Sequence, residues 1–249
     1  MVVPTLGTRP ELLDQCLASI VGQSVPVEIL LVAPEGSTVA ADLAARHGAS
    51  LLPDPGSLAA AINLGAASAG EHIEYLNWLG DDDLLEPESL ARTVASLEAN
   101  PQATVAYGAC RYIDEGGQEL WVSRAGPWAT RILAWGPDLI PQPGMLVRRA
   151  AWNSVGGLDV SYKFAFDLDL LLKLKAIGPL LDVGEIVSSF RWHGDSLTVG
   201  DRTASLAESE RARRASLGTL GRSCAWMWEL PVRVATRAAA RELHRRSKA

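Results

Sequence analysis

The sequence predicts an α/β fold in which a mixed, mainly parallel sheet is flanked by helices and followed by a helical C-terminal extension. Short apolar runs alternate with helical patterns through the first half of the chain, as in a parallel sheet built from β-α-β units. From about residue 201 the chain is rich in Ala and Arg, which is typical of a helix. We therefore divide the chain into one domain over residues 1–200 and a basic helical extension over residues 201–249.

The elements follow in order along the chain. Apolar runs and helical periodicity predict alternating strands and helices over residues 2–3, 11–22, 27–33, 39–47, 49–52 and 58–69. A strand over 73–79 then ends in an acidic loop, and Glu86-Pro87-Glu88 indicates the first turn of a helix. The later elements are a hairpin over 104–112 and 118–123, helices over 150–154 and 167–176, and a strand over 180–190.

Charge is distributed unevenly along the chain. Residues 1–200 contain 12 basic and 24 acidic side chains, whereas residues 201–249 contain 11 basic and 5 acidic ones. An acidic body argues against a broad nucleic-acid-binding surface, which requires a basic patch. The basic extension is expected to pack on its own domain, to lie on an anionic membrane surface or to hold a partner protein.

Cysteine usage and hydropathy bear on the compartment. Cys16, Cys110 and Cys224 are far apart and odd in number, which favours a reducing environment. No apolar stretch approaches the roughly 20 residues that span a bilayer. We expect a cytoplasmic protein, either soluble or peripheral at the inner face of the membrane.

Three consecutive carboxylates, Asp81, Asp82 and Asp83, follow the strand over 73–79. Ligands of open α/β sheets bind at the carboxyl ends of strands, and clustered carboxylates suit a hard cation such as Mg²⁺ or Mn²⁺ that bridges phosphates. Acidic residues are also favoured at helix N-termini, so a solvated loop that caps the next helix is the alternative.

Several blocks of sequence carry a resemblance to a known family. They are Val2-Val3-Pro4-Thr5-Leu6-Gly7-Thr8-Arg9-Pro10, Asn63-Leu64-Gly65 with Ala69-Gly70, Gly80-Asp81-Asp82-Asp83-Leu84-Leu85-Glu86-Pro87, Gly156-Gly157-Leu158-Asp159 with Phe166-Asp167-Leu168-Asp169-Leu170, and Phe190-Arg191-Trp192-His193. In this order and spacing, over roughly residues 2–198, the chain resembles the family 2 glycosyltransferases, which have the GT-A nucleotide-sugar-binding fold.

The resemblance implies a metal-dependent site for a nucleotide-diphosphate sugar. It makes Asp82 the direct ligand of Mg²⁺ or Mn²⁺ and places Asp81 on the donor ribose. Asp83 would support the metal shell or cap the following helix. His193 would reach the metal or the diphosphate, since imidazole serves either purpose.

The remaining donor contacts and the base follow from the same resemblance. Thr5 and Arg9 are expected to contact the nucleotide and its phosphates, and Asn63 belongs to the second donor block. The family commonly has D-D-G-S after its second strand, and here Glu35 takes the place of the acid that reads the base. Asp167 matches the general base, which implies inversion at the anomeric carbon. Asp169 would point about 200° away on the same helix.

The acceptor is left open among a growing polysaccharide, a lipid-linked saccharide and a small molecule. Trp121, Trp128 and Trp135 are candidates for stacking on sugar rings or for anchoring the core. Two other functions compete with transfer. Leu6-Gly7-Thr8-Arg9 partly matches the triphosphate loop of a sugar-phosphate nucleotidyltransferase, and a catalytically degenerate sugar-nucleotide-binding module would retain the fold without turnover.

Overall fold

The structure is a computed structural model that describes residues 1–192 and 202–218 and the single residues Met227, Glu229 and Pro231. Its strands are β1 Val2–Pro4, β2 Leu30–Ala33, β3 Ser50–Pro53, β4 Tyr75–Leu76, β5 Leu84–Leu85, β6 Val105–Ile113, β7 Glu119–Ser123, β8 Leu146–Arg148 and β9 Leu180–Arg191. Its helices are α1 Pro10–Val21, α2 Thr38–His47, α3 Leu58–Ser68, α4 Ser89–Ala99, α5 Ala129–Ile132, α6 Arg149–Val155, α7 Phe166–Ile177 and α8 Arg202–Ser216.

The first sheet is parallel and has the order β1-β2-β3. On its other edge, β1 is bonded to the segment that leads into the acidic loop. The Val2 N–H donates to the Asn77 carbonyl at 2.8 Å, and the Leu79 N–H donates to the Val2 carbonyl at 3.0 Å. Because this pairing is parallel, the loop after β1 and the acidic loop leave the sheet at the same edge.

The second sheet is mixed and has the order β4-β8-β6-β9-β5, with β7 paired to β6. Strands β6 and β9 are parallel, and the remaining pairs are antiparallel. The predicted hairpin over 104–112 and 118–123 is the β6-β7 pair. The α/β class with a mixed sheet and flanking helices is therefore confirmed.

The helices of the first half bury one apolar face each. On α1 the completely buried residues are Leu13, Cys16, Leu17 and Ile20, which recur at helical spacing. On α3, Gly65 lies so close to β1 that a Cβ atom there would come within 2.5 Å of the Val2 side chain. These contacts fix α1 and α3 on the sheet that carries the loop after β1.

The helix predicted to begin at Glu86-Pro87-Glu88 begins at Ser89 instead. Leu84–Leu85 forms a short strand with β9, and the Glu86 N–H donates to the Val187 carbonyl at 3.1 Å. Glu88 has φ of 61°, so the backbone turns through the left-handed region before α4 starts. Pairing with a strand about a hundred residues later overrides the local helix signal.

Residues 202–216 of the basic extension form α8, and α8 packs against α7. No helix among the described residues is sufficiently long and apolar to cross a membrane. Trp226 and Trp228 of the extension lie outside the described residues.

Candidate active site

Thr5 joins the loop after β1 to the acidic loop. Its side chain is buried, and its hydroxyl donates to the Asp81 carboxylate, with Oγ1 and Oδ2 2.5 Å apart. The same hydroxyl oxygen accepts from the Gly7 N–H at 3.0 Å, and Gly7 adopts φ of 70°. Thr5 therefore fixes both loops at the edge where parallel strands present their ligands.

Arg9 bridges two of the three carboxylates. Its guanidinium nitrogens lie 3.0 Å from Asp81 Oδ1 and 2.7 Å from Asp82 Oδ2. The Arg9 side chain is 37% exposed, whereas those of Asp81 and Asp82 are 12% and 14% exposed. Burial raises the pKa of Asp81, and the Thr5 hydrogen bond and the Arg9 charge oppose that rise. Arg9 thus balances an acidic pair and remains accessible to an anionic ligand.

Asp83 is held differently from its two neighbours. It is only 4% exposed, and its Oδ1 accepts from the Arg191 backbone N–H at 3.0 Å. Burial and then the charge of Asp82 raise the pKa of Asp83 well above its usual range. One oxygen of Asp83 is therefore committed to the backbone of β9.

Arg191 is a buried hub that sequence reasoning left without a role. The side chain is 2% exposed and donates to the carbonyls of Asp82 at 3.0 Å, Asp114 at 3.1 Å and Glu115 at 2.8 Å. It also donates to Gln15 Oε1 at 3.1 Å. Arg191 appeared in the Phe190-Arg191-Trp192-His193 block, and its complete burial is the property that the block did not reveal.

The donor atoms of this loop suit a divalent cation. Asp81 and Asp82 supply partly exposed carboxylate oxygens, and Mg²⁺ is held by one or two carboxylates together with substrate phosphates. Within the described parts of the chain, no group of three or more His, Cys, Asp or Glu residues is arranged to hold a metal ion. His193 lies outside the described residues. Asp82, beside Asp81, therefore fits a metal that substrate phosphates would help to hold.

Asp167 is the second residue of α7, and its Oδ1 accepts from the Leu168 N–H at 2.8 Å. Burial raises its pKa to about 6. Burial and then the charge of Asp167 raise the pKa of Asp138 to about 7, so these two carboxyl groups interact electrostatically. Asp169 is turned elsewhere: it is buried and forms an ion pair with Lys173 at 2.6 Å.

Aromatic packing brings α7 to the acidic loop. The Phe166 and Trp78 ring centroids are 6.4 Å apart, and Trp78 lies three residues before Asp81. Burial and then the charges of Cys110, Asp83 and Asp138 raise the pKa of the Tyr112 hydroxyl, so this group feels acids of both regions. The Asp167 end of α7 and the acidic loop therefore belong to one region.

Two predicted donor residues, Asn63 and Glu35, do not contact the cluster formed by Thr5, Arg9 and the acidic loop through any hydrogen bond described above. The Asn63 amide donates from Nδ2 to the Leu158 carbonyl at 2.8 Å and accepts at Oδ1 from the Leu158 N–H at 3.0 Å. Asn63 thus joins α3 to the loop that follows α6. Glu35 is exposed in the loop after β2. That loop adjoins the one after β1, because a Cβ at Gly7 would lie 2.7 Å from Ser37 Oγ.

Curated relatives share part of this chain. The protein named O-antigen biosynthesis protein RfbC from Myxococcus xanthus is 29% identical over an alignment of 188 residues, which covers 70% of this chain and 14% of the relative. Chondroitin synthase from Escherichia coli is 26% identical over 125 residues, which are 50% of this chain and 18% of the relative. This chain therefore spans less than a fifth of either relative.

A solved structure shares the fold. The crystal structure of S. aureus TarS superposes with a TM-score of 0.62 at 14% identity, covering 90% of this chain and 41% of that one. At this identity the likeness concerns the fold alone, and it agrees with the predicted GT-A class.

The family described as Glycosyl transferase family 2 has a sequence model that matches residues 1–149. The match includes β1, α3 and the acidic loop, and it decides between the two competing enzyme classes in favour of glycosyl transfer over nucleotidyl transfer. The chain belongs to glycosyl transferase family 2 and is a glycosyltransferase.

Proposed function

We propose that this protein is an inverting, metal-dependent transferase that moves a sugar from a nucleotide-diphosphate donor to a hydroxyl group of a saccharide acceptor during polysaccharide synthesis. The observation that carries the proposal is the pairing of two distinct carboxylate environments in one region. Asp81 and Asp82 are partly exposed beside Arg9, whereas Asp167 is desolvated and has a pKa raised to about 6.

Asp167 has the properties required of a general base. A carboxyl group with a pKa of about 6 is ionised at neutral pH and is more basic than an ordinary aspartate. It would accept the proton of the acceptor hydroxyl as that oxygen bonds to the anomeric carbon. The bond from that carbon to the donor phosphate breaks on the opposite face, and the nucleoside diphosphate leaves with the electron pair. Asp169 is unsuited to this role because Lys173 neutralises it.

The donor side is assigned to residues of the loop after β1 and of the acidic loop. Asp82 would hold Mg²⁺ or Mn²⁺. Asp83, which is fixed by its hydrogen bond to the backbone of β9, would support Asp82. A bound divalent cation stabilises the negative charge of a departing diphosphate. Arg9 would contribute a second positive charge to the diphosphate, and Asp81, held by Thr5, would contact the ribose. Glu35 is proposed to contact the base, and His193 to approach the metal or diphosphate.

The acceptor class rests on the relatives. One is named for O-antigen biosynthesis and another is a chondroitin synthase, so both names concern saccharide polymers. Cys16 and Cys110 are free and buried, which supports the proposed cytoplasmic location. A lipid-linked saccharide is compatible with the same chemistry, and the basic extension would then contact the membrane surface.

Thermal stabilisation by nucleotide sugars tests the donor site. Purified protein is heated with UDP-, GDP-, TDP- or CDP-sugars, each with and without Mn²⁺. We expect one nucleotide to raise the melting temperature only when metal is present. The degenerate-binder alternative predicts stabilisation without consumption of the donor, which chromatography of the released nucleotide distinguishes. A shift that is equal with and without metal would contradict the metal-dependent site.

A further inference from the structure

Glu208 on α8 reaches the segment that leads into α7. Its carboxylate accepts hydrogen bonds from three consecutive backbone N–H groups, those of Lys163 at 3.0 Å, Phe164 at 2.7 Å and Ala165 at 3.1 Å. Burial opposes the charge of this carboxylate, but the three backbone donors outweigh it and lower the pKa of Glu208. The extension therefore supplies a charged acceptor two residues before Asp167.

Helix α7 has no side-chain cap at its own N-terminus, and Glu208 from α8 is a side chain on which the backbone N–H groups just before α7 converge. The N-cap residue is Ala165, whose methyl side chain cannot accept a hydrogen bond from the first turn. Arg211, one turn further along α8, donates to the Ser161 carbonyl at 2.9 Å and stacks over the Tyr162 ring at 3.9 Å. Helix α8 thus holds the whole segment from Ser161 to Ala165.

The same helix also reaches the carboxyl pair. Arg213 is 8% exposed on α8, and its charge acts on Asp138, the neighbour of Asp167. Three residues of α8 therefore act on three parts of the Asp167 environment: Glu208 on the backbone before it, Arg211 on the preceding turn and Arg213 on the charge of Asp138. A helix that only connected the domain to the rest of the extension would not require these contacts.

We propose that Glu208 is a positioning residue for glycosyl transfer, which fixes the start of α7 and thereby the orientation of the Asp167 carboxylate toward the acceptor. This inference rests on the proposed function, since it requires Asp167 to be the base. It also makes α8 part of the catalytic unit, although the sequence suggests a separate extension. Errors of about 1 Å in the position of a reacting group can cost roughly 100-fold in rate, so the effect of Glu208 is measurable.

The test compares Glu208→Gln with Glu208→Asp in the full chain, using the nucleotide sugar that stabilises the wild type and a saccharide acceptor. Glu98→Gln, on the exposed surface of α4, is the matched control for loss of one carboxylate. We expect Glu208→Gln to lower kcat by about tenfold or more while the donor KM is unchanged. Glu208→Asp, which retains the charge, should recover part of that loss, and the control should behave as wild type.

Hydrogen–deuterium exchange provides a readout that does not need activity. Amides of residues 163–168 should exchange faster in Glu208→Gln than in wild type, whereas those of α4 should not change. Wild-type kcat in a Glu208→Gln protein that retains the fold would overturn the inference, as would equal losses in donor binding and turnover. A wild type that transfers no sugar with any donor would instead refute the proposed function, and the exchange result would still report on the Glu208 contact.

Discussion

Replacement of Asp167 by Asn should stabilise the protein at neutral pH. Burial raises the pKa of this group from 3.8 to about 6 in the folded state, so ionisation of Asp167 is less favourable there than in the unfolded chain. Because one pKa unit corresponds to about 1.4 kcal/mol, the difference between 3.8 and about 6 costs about 3 kcal/mol of stability. An uncharged, isosteric Asn avoids that cost, and about 3 kcal/mol is the upper estimate of the gain.

The sign of this effect fixes its dependence on pH. The folded state binds more protons than the unfolded state between pH 3.8 and about 6, so stability falls as pH rises through that window. The cost is complete above about pH 6 and absent below 3.8. The advantage of Asp167→Asn should therefore be largest at neutral pH and should shrink as the solution is acidified.

Urea unfolding of wild type and Asp167→Asn at about pH 7.5 and about pH 4.5 measures both quantities. Asp169→Asn is the matched control, because it removes an equivalent charge from the same helix but breaks the ion pair with Lys173 and should lower stability. An Asp167→Asn protein that is less stable than wild type at neutral pH would refute the claim that burial of the Asp167 carboxylate costs stability. A gain that does not change with pH would refute it equally.

Three further predictions concern the rest of the site. The kcat/KM of the wild type should fall about tenfold per pH unit below the Asp167 pKa of about 6, and a pH profile of kcat/KM that is flat between about 5 and 8 would contradict this. Arg191→Met should lower the unfolding free energy by about 3–5 kcal/mol, because it leaves the buried acceptors of Arg191 unsatisfied. Arg131→Met, at an exposed position, should change the unfolding free energy in urea little. Equal losses of unfolding free energy in the two variants would contradict the stabilising role of Arg191. Asp82→Ala should abolish Mn²⁺-dependent stabilisation by the donor, whereas Glu98→Gln should retain it in the same thermal assay; persistence of the shift in Asp82→Ala would exclude Asp82 as the ligand.

Local periodicity was sufficient for much of the fold. The alternation through residues 1–70 and the hairpin of β6 and β7 are read correctly, because each of these elements buries one face that its own sequence encodes. The start of α4 was predicted wrongly, since Glu86-Pro87-Glu88 has a strong local helix signal. Pairing of Leu84–Leu85 with β9 decides that region, and a local pattern carries no information about such a distant partner.

Prediction of the site succeeded and failed for the same reason: residues with a local sequence signal were found, and the contacts made by distant residues were not. The acidic loop and Asp167 are visible as clustered carboxylates at predicted element ends. Arg191 and Glu208 act through backbone groups that lie far from them in the chain. Arg191 stands in a recognised block of sequence that did not reveal its contacts, and Glu208 stands in no such block. The one available signal for Arg191 is a charged residue inside the apolar pattern of a strand, which requires buried partners. Asn63 stands in a recognisable block, but its contact with Leu158 depends on how α3 packs.

Turnover by Asp167→Asn and Asp169→Asn with a defined nucleotide sugar, Mn²⁺ and a saccharide acceptor tests the central assignment most directly. Loss of a general base lowers kcat by about 10²- to 10⁴-fold, so Asp167→Asn should lose at least about 100-fold while its metal-dependent donor binding remains. Asp169→Asn should retain most of its turnover. Near-wild-type turnover in Asp167→Asn would contradict the account.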